Sequence, residues 1–339
     1  MERVDLDFTR YWGELRAELT AQMNRWTLVF FRDLPAPDAQ TIEGLIRGGK
    51  KLRGCMVLAV CDALGGPIGS ALPTAVAIEC VHAASLIHDD LVDGDRTRRD
   101  RPATWIVHGS RRAVLLGDLI FATALQRSAE LGREEVLTLS RAVAMVAAGA
   151  YKESLDMREI ETVLPRDTLA RPLYERIIYL KTGALFAAAA QLGAIAAQAT
   201  PLLREAAFEF GARMGEAYQI ADDLEDVVNR AGARMMSPSQ LATLASVLAY
   251  FDVPTNGPAP ISGINLLDRL DRSVEQLALA MEAEIGRRIA LARQALAPFP
   301  ERPHLALLHT LPAAIVEPKV AAAKRARRTD VVVADSERR

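Results

Sequence analysis

"SLIHDDLVDGD", residues 85–95, places a cluster of aspartates directly after an apolar stretch. Residues 71–92 read as one buried helix that ends in this cluster. On a helix, residues i and i+4 share a face, so Asp89 and Asp93 would point the same way with Asp90 beside them. Like charges this close raise the free energy of the helix, and more so when they are partly buried. A positively charged partner must therefore neutralise them.

The spelling DDLxD occurs a second time in "YQIADDLEDV", residues 218–227. The same spacing puts Asp222 and Asp226 on one helix face, with Asp223 beside them. Ligand sets made only of oxygen suit a hard cation such as Mg²⁺, which takes one or two carboxylates and completes its shell with water and substrate phosphates. One DDLxD alone could equally be an exposed helix end. Two of them predict facing clusters that hold several Mg²⁺ ions around one diphosphate.

The composition of the 339-residue chain favours an all-α protein. Half of the residues are hydrophobic but only 5% are aromatic, and alanine and leucine dominate, which favours helix over strand. We predict a single all-α domain over residues 1–317. Residues 318–339 contain the basic run "KRARR" and predict a disordered tail, with weak contact to an anionic membrane surface as the alternative.

Charge and cysteine usage limit the classes of function. A net charge of -2 gives no overall attraction to nucleic acid. Cys55, Cys61 and Cys80 lie in apolar helical surroundings, which favours buried free thiols in a reducing cytoplasm. The first residues are charged, so we expect no secretory signal. The longest apolar run, residues 184–199, is shorter than the roughly 20 residues of a spanning helix, so we expect no transmembrane segment.

Basic residues occur in separate sets near the first acidic cluster. "RGGKKLRG", residues 47–54, places Lys50 and Arg53 on one side of a helix start, where backbone amides attract phosphate. "DRTRRDRP" follows the first cluster directly and supplies Arg98 and Arg99. Such a run is usually a solvated loop, but beside a metal site it indicates a phosphate clamp.

Two further polar residues stand among apolar ones. His82 alone is more often a satisfied core histidine than a ligand. Lys181, in "YLKTGALF", needs an anionic partner or must extend toward solvent. Acidic clusters together with separate basic sets predict a pocket for two phosphorylated ligands, one bound through metal and one bound directly by lysine and arginine.

Five stretches in this order and spacing match a known family: "GGKKLR" at 48–53, "SLIHDDLVDGDRTRRDRP" at 85–102, "GDLIFATAL" at 117–125, "KTGALF" at 181–186 and "YQIADDLED" at 218–226. The chain resembles the trans-isoprenyl diphosphate synthases (polyprenyl synthetase family), and within it those that make geranylgeranyl diphosphate. The resemblance implies an all-α isoprenoid-synthase fold with helices around a deep central cavity. It also implies a homodimer that condenses isopentenyl diphosphate head-to-tail with an allylic prenyl diphosphate, with Mg²⁺ as cofactor.

The resemblance also implies roles for individual residues. The Mg²⁺ ligands would be Asp89, Asp90, Asp93, Asp222, Asp223 and Asp226. Isopentenyl diphosphate would be held by Lys50, Arg53, His82 and Arg99. Arg98 and Lys181 would contact the allylic diphosphate, and Thr182 and Gln219 would line the reacting end. The residues expected to act in catalysis are Asp89, Asp90, Asp93, Lys181, Asp222 and Asp223.

The chemistry implied by the family needs no side-chain nucleophile. Metal ions and cationic side chains would stabilise the charge on the departing pyrophosphate, so that the allylic carbon–oxygen bond ionises. An apolar cavity would keep water from the carbocation, and the double bond of isopentenyl diphosphate, held close by, would attack it. The released pyrophosphate would then remove the proton.

Product length in this family depends on the depth of the cavity below the first acidic cluster. Ala84 and Ser85, directly before that cluster, are small, and Val81, one turn deeper, is of modest size. We therefore expect a C20 (geranylgeranyl) or longer product. The alternative is that another helix supplies the cavity floor.

The chain departs from the family pattern after the second acidic motif. Relatives usually carry Gly-Lys elements there, but this chain has no lysine between Lys181 and Lys319. Arg230 or Arg234 could substitute, although arginine and lysine are not equivalent phosphate ligands. Trp105 and Glu153 also stand where His and Gln are common.

Two alternative functions were weighed on the same residues. The first is a class I terpene cyclase of the same fold, which needs no isopentenyl diphosphate site and has a different second metal motif. The second is a non-catalytic partner subunit of another synthase, which tends to lose one acidic motif. Both acidic motifs and the basic set are retained, which favours condensation.

Overall fold

A computed structural model describes residues 7–32, 36–153, 174–230, 238–251 and 263–337. Helices dominate the described residues, so the predicted all-α class is confirmed. The chain divides into two compact units, which are described separately. Unit 1 comprises Met1–Val146, Ala184–Ala212 and Arg293–Thr310, and unit 2 comprises Ala147–Gly183, Arg213–Ala292 and Leu311–Arg339. The single domain expected over residues 1–317 stays a prediction.

The first seven helices run in chain order. They are α1 (Phe8–Phe30), α2 (Ala36–Arg47), α3 (Leu52–Ala63), α4 (Ile68–Val92), α5 (Thr104–His108), α6 (Ser110–Leu131) and α7 (Arg133–Glu153). Between α4 and α5 lie two antiparallel two-residue strands, β1 (Thr97–Arg98) and β2 (Arg101–Pro102). In this hairpin Arg98 is opposite Arg101.

The later helices include the three longest of the described residues. They are α8 (Tyr174–Ala196), α9 (Pro201–Arg230), α10 (Pro238–Tyr250), α11 (Gly263–Ala295) and α12 (Leu305–Glu337). Within α8, residues Tyr179–Gly183 form a π-helical turn. Single π turns inside α-helices occur frequently at functional sites.

The core of unit 1 is built on α3 and α4. Both helices are apolar on nearly every side, as expected of helices surrounded by others, and most of their residues are buried. Gly54 lets the two helices approach closely, because a Cβ there would lie 3.1 Å from the carbonyl oxygen of Ala75. Cys55, Cys61 and Cys80 are free and buried, as predicted.

The core of unit 2 gathers one face of α9 with α10, α11 and part of α12. Tyr174 is fully buried at the start of α8. Its ring centre lies 5.0 Å from that of Tyr250 and 6.1 Å from that of Phe251. This aromatic contact fixes the beginning of α8 against the end of α10, and it holds the Tyr174 hydroxyl in place.

The segment after residue 318 differs from the disordered tail that its composition predicts. In the structure α12 continues through Glu337. Ala323 is buried, and Lys324 lies 2.9 Å from Oε2 of Glu282, which also pairs with Arg327. Lys324 and Arg327 therefore face acidic partners on α11, which a composition argument does not detect.

Among the described residues, three helices are long and apolar enough to cross a membrane when only length and composition are considered. They are Ile68–Val92, Tyr174–Ala196 and Leu305–Arg327. The apolar windows of the first two are 78% buried inside the protein, as core helices are, whereas that of the third is 33% buried. The absence of a transmembrane segment stays a prediction.

Candidate active site

The first acidic motif ends helix α4 in unit 1. Asp89 and Asp90 belong to the last turn, and Asp93 is the C-cap residue, whose N–H donates to the carbonyl oxygen of Asp89 over 2.8 Å. Asp90 is buried and Asp93 is exposed. Nε of Arg98 donates to Oδ1 of Asp90 at 2.6 Å. Burial raises the pKa of Asp90, and the pairing with Arg98 opposes that effect without cancelling it.

The β1–β2 hairpin joins two motifs that are far apart in sequence. Arg98 reaches Asp90, whereas Arg99, at the turn, lies against Gly48 and Gly49. A Cβ on Gly48 would lie 2.7 Å from Nη1 of Arg99, and a Cβ on Gly49 would lie 2.9 Å from its Cζ. Gly49 also has a positive φ of 94°. A side chain on either glycine would displace the guanidinium, and the positive φ favours glycine at position 49 in particular.

A cavity of about 360 Å³ in unit 1 opens between these elements. Its cationic lining residues are Lys51, Arg98, Arg99 and Arg101. Polar and apolar residues of α4 line the same cavity: His82, Leu86, Ile87 and Asp90. Because cations outnumber carboxylates in the lining, the cavity favours an anionic ligand.

The structure separates the adjacent lysines of "GGKKLR". The predicted Lys50 is exposed and is not among the residues that line the cavity, whereas Lys51 is buried and lines it. Burial lowers the pKa of Lys51, and Glu79, 3.9 Å from its Nζ, opposes that shift. Lys51 has a left-handed backbone, with φ of 55°. Sequence reasoning missed Lys51, since only this backbone conformation turns it inward.

Arg53 and His82, both predicted to hold isopentenyl diphosphate, lie in unit 1. Cζ of Arg53 is 4.6 Å from the centre of the Phe186 ring, so a cation–π contact holds this buried guanidinium. Burial, together with the charges of Arg53 and Arg99, lowers the pKa of His82 well below its ordinary value. At neutral pH His82 is therefore an uncharged hydrogen-bonding group.

The residues predicted to set product length are buried in α4. Val81, Ala84 and Ser85 are at most 8% exposed, and Oγ of Ser85 donates to the carbonyl oxygen of His82 over 2.9 Å. None of them lines the cavity just described, which is bordered by another face of the helix. Their role in product length stays a prediction.

The second acidic motif lies on α9 in unit 2, where a short chain of hydrogen bonds holds Asp223. The hydroxyl of Tyr174 donates to its Oδ2 over 2.7 Å, and Nε2 of Gln219 donates to its Oδ1 over 2.9 Å. Oγ1 of Thr182 donates to Oε1 of Gln219 over 2.5 Å. Burial raises the pKa of Asp223 to about 6, although these hydrogen bonds and the charge of Lys181 lower it.

The structure thus brings the predicted Thr182, Gln219 and Asp223 into contact. Lys181 and Thr182 belong to the π-helical turn of α8. Thr182 bonds to Gln219 on α9, and the charge of Lys181 acts on Asp223 of the same helix. Sequence reasoning missed Tyr174, which completes this set, because an isolated tyrosine carries no recognisable signal.

Asp222 has a partner that was also missed. Nζ of Lys319, on α12, pairs with Oδ1 of Asp222 and lies 3.6 Å from Oε2 of Glu225. Burial raises the pKa of Asp222, and Lys319 opposes the shift. Asp226, the third predicted ligand, is exposed at the following turn.

The donors fit Mg²⁺, which needs only one or two carboxylates from the protein. Within the described residues, no three His, Cys, Asp or Glu side chains come together as a complete metal site. Each motif nevertheless presents a carboxylate that pairs with a basic side chain: Asp90 pairs with Arg98, and Asp222 pairs with Lys319. Burial raises the pKa of both carboxylates. A divalent cation would stabilise both. That the two motifs face each other stays a prediction.

A model of the polyprenyl synthetase family matches residues 39–234 of the chain. The chain belongs to the polyprenyl synthetase family. It is 38% identical over 186 residues to the short chain isoprenyl diphosphate synthase of Methanothermobacter thermautotrophicus, covering 54% of this chain and 55% of that protein. It is 34% identical over 186 residues to the geranylgeranyl diphosphate synthase of Methanosarcina mazei, covering 53% of this chain and 55% of the relative. The chain therefore spans about half the length of the curated relatives it matches.

Solved structures of polyprenyl synthetases resemble this chain over most of its length. The polyprenyl synthase from Caulobacter crescentus, complexed with calcium and isoprenyl diphosphate, matches with a TM-score of 0.71 and 26% identity, covering 93% of this chain and 99% of that one. A decaprenyl diphosphate synthase from Rhodobacter capsulatus matches with a TM-score of 0.67 and 25% identity over 90% of this chain and 98% of that one. The isoprenoid-synthase fold expected from the sequence is confirmed.

Proposed function

We propose that this polyprenyl synthetase condenses isopentenyl diphosphate head-to-tail with an allylic prenyl diphosphate, in a Mg²⁺-dependent reaction that releases pyrophosphate. The observation that carries the proposal is the β1–β2 hairpin, which places Arg98 on the first acidic motif and Arg99 on the glycine pair within one cavity. Side chains that we propose to ligate metal and to bind anions are thus neighbours, which supports the proposal. The printed names of the relatives, which are synthases of prenyl diphosphates, support the same reaction class.

The cavity of unit 1 suits isopentenyl diphosphate. Its volume of about 360 Å³ lies in the range of small-molecule sites. Arg99 and Lys51 would bind the diphosphate, since a guanidinium offers paired donors and an ammonium a compact charge. His82, being neutral, would donate or accept a hydrogen bond without adding charge. Leu86 and Ile87 offer an apolar wall for the hydrocarbon part.

The residues of unit 2 would hold the allylic diphosphate. In the second motif, Asp222 and Asp226 are the proposed Mg²⁺ ligands; in the first motif, they are Asp89 and Asp93. Mg²⁺, when bound, supplies charge stabilisation to the departing pyrophosphate. Lys181 would add a direct cationic contact. Asp223 would mainly help to hold the second motif in place, because Tyr174 and Gln219 each donate a hydrogen bond to one of its two carboxylate oxygens.

We further propose a product of C20 or longer, because Val81, Ala84 and Ser85 leave no bulky side chain below the first motif. The names of matched relatives range from farnesyl to octaprenyl diphosphate synthase, so similarity alone does not decide the length. A homodimer and a cytoplasmic location belong to the same proposal.

The decisive experiment incubates the full chain with Mg²⁺, isopentenyl diphosphate and each allylic primer in turn, with product length read by mass spectrometry. We expect a trans-prenyl diphosphate and stoichiometric pyrophosphate, both lost in the presence of EDTA. Pyrophosphate release without isopentenyl diphosphate would instead indicate a terpene cyclase. Absence of turnover with every primer would leave only the role of a partner subunit.

A further inference from the structure

Lys319 lies against an acidic face of α9 within the second motif. Its ammonium pairs with Asp222, lies 3.6 Å from Oε2 of Glu225 and is 4.9 Å from the centre of the Tyr218 ring. Tyr218, Asp222 and Glu225 are spaced as i, i+4 and i+7, so they form one face of the helix. The Lys319 side chain is only 15% exposed. An enclosed ammonium between carboxylates and a ring is a specific contact, unlike an ion pair on an open surface.

Lys319 brings a lysine to a motif whose following stretch of sequence has none. No lysine occurs between Lys181 and Lys319, and the stretch directly after the second acidic motif carries only arginine as a strong cation. The residues of that stretch, 231–237, lie outside the described residues. Instead, Lys319 on α12 contacts the motif, although it lies 97 positions after Asp222 in the chain.

The pairing also means that metal and lysine compete for one carboxylate. Nζ of Lys319 pairs with Oδ1 of Asp222, so its positive charge opposes a divalent cation on the same carboxylate. A lysine ammonium is a compact charge with three donors on a flexible stem, so it can exchange a carboxylate oxygen for a phosphate oxygen while its helix stays in place. Glu225 and the Tyr218 ring keep the side chain in that neighbourhood after the exchange.

We propose that Lys319 is a diphosphate-binding residue of the second acidic motif, which rests on Asp222 until a divalent cation takes that carboxylate. The proposal rests on the proposed function, since it requires a metal-bound diphosphate at this motif. Removing the ammonium should have opposite effects on the binding of metal and on the binding of pyrophosphate. Metal alone then binds more tightly because its competitor is gone, whereas pyrophosphate in the presence of metal binds more weakly because a cationic partner is gone.

The test compares full-length wild type with Lys319→Ala, Lys319→Met and Lys319→Arg. Binding of Mn²⁺, a paramagnetic stand-in for Mg²⁺, is read by electron paramagnetic resonance, and binding of inorganic pyrophosphate with Mg²⁺ is read by calorimetry. A charged hydrogen bond contributes about 1.5–3 kcal/mol, so both neutral variants should weaken pyrophosphate binding by about 10- to 100-fold. Both should also bind Mn²⁺ more tightly than wild type, and Lys319→Arg should restore part of the pyrophosphate affinity.

Lys324→Ala is the matched control. Lys324 lies on the same helix and forms an ion pair with Glu282 at 2.9 Å, but it touches neither acidic motif in the described contacts. This variant should change neither the Mn²⁺ affinity nor the pyrophosphate affinity.

Two outcomes would overturn the inference. Unchanged pyrophosphate affinity in Lys319→Ala and Lys319→Met would show that the ammonium does not bind the diphosphate. If Mn²⁺ binding and pyrophosphate binding both weaken and the Tm falls, the contact of Lys319 with Asp222 is purely structural. The condensation assay on wild type separates this result from the proposed function. An active wild type with unaffected variants refutes only the role of Lys319, whereas a wild type that neither binds pyrophosphate nor turns over refutes the function itself.

Discussion

The hydroxyl of Tyr174 donates to Oδ2 of the buried Asp223 over 2.7 Å, and the ring of Tyr174 packs 5.0 Å from that of Tyr250. The first contact holds a carboxylate of the second acidic motif, and the second anchors the ring in the core of unit 2. A single side chain thus links the packing of α8 and α10 to the chemistry of α9, and the two contributions can be separated by removing only the hydroxyl.

Tyr174→Phe removes that hydroxyl and keeps the ring. Because a buried acceptor loses a donor, the free energy of unfolding should fall by about 1–3 kcal/mol, measured by urea denaturation. Turnover should fall as well, since Asp223 is less firmly held. Tyr250→Phe is the control, because its hydroxyl contacts Glu175 and Glu284 outside the motif. Equal losses of turnover in both variants would argue against a special role for Tyr174.

Gly49→Ala should disturb the Arg99 site. The new Cβ would lie 2.9 Å from Cζ of Arg99, at a backbone φ of 94° that alanine rarely adopts. We expect the KM for isopentenyl diphosphate to rise about 10-fold or more, which corresponds to about 1.4 kcal/mol of lost binding. Gly109→Ala provides the control, since Gly109 has φ of 80° but open space around its Cβ position. A matching rise in KM for that variant would indicate general backbone strain.

Asp89→Ala and Asp222→Ala test the metal assignment. Each removes a carboxylate expected to hold Mg²⁺, so the condensation rate should fall by about 100-fold or more, as for the loss of other groups that stabilise transition-state charge. Circular dichroism should remain that of the wild type, because both residues are partly exposed. Near-normal activity in either variant would remove that residue from the site.

Ala84→Phe tests the floor of the hydrocarbon cavity. Ala84 is fully buried on α4. Under the proposed function, a phenyl ring at this position would occupy space that the growing chain uses. We expect a shorter product by chromatography and a loss of about 1–3 kcal/mol of stability from overpacking. An unchanged product length from a folded variant would place the floor on another helix.

The ion pairs of the buried Arg288 in unit 2 should make the free energy of unfolding depend on pH. Arg288 pairs with Glu216, Glu175 at 2.9 Å and Glu284 at 2.7 Å. Partial burial pushes the pKa of Glu284 upward, but hydrogen bonds from Arg287 and Arg288 outweigh it and leave the pKa below its ordinary value of 4.5. The stabilisation from Glu284 is therefore complete above that value and is lost as the pH falls through the lower, folded-state pKa.

Arg288→Met measures this network directly. At neutral pH it leaves buried Glu216 without its closest cation, so the free energy of unfolding should fall by about 3–5 kcal/mol. The difference from wild type should shrink in denaturation experiments as the pH falls through the lowered pKa of Glu284, where that carboxylate becomes protonated. A difference that is constant with pH would show that packing, not charge, accounts for the loss.

Sequence reasoning identified the helical class, both acidic motifs and most of the basic residues, because helical spacing and clustered charge are local properties. It missed Lys51 because the adjacent Lys50 looks equivalent until the left-handed backbone at Lys51 is known. It missed the contact of Lys319 with Asp222 because 97 positions separate them. It also predicted disorder after residue 318, where basic residues in fact pair with Glu282 on another helix. Each of these errors concerns a backbone conformation or a contact that only the tertiary structure shows.

The contact of Arg99 with Gly48 and Gly49 has a consequence for how such sequences diverge. The two glycines and the arginine come from separate stretches, but a side chain on either glycine would occupy the volume of the guanidinium. At Gly49 the positive φ favours glycine whether or not the arginine is kept, whereas at Gly48 only the guanidinium opposes a side chain. Gly48 and Arg99 are therefore expected to covary, so that a hybrid of two homologous chains joined between them would be impaired even if both parents are active.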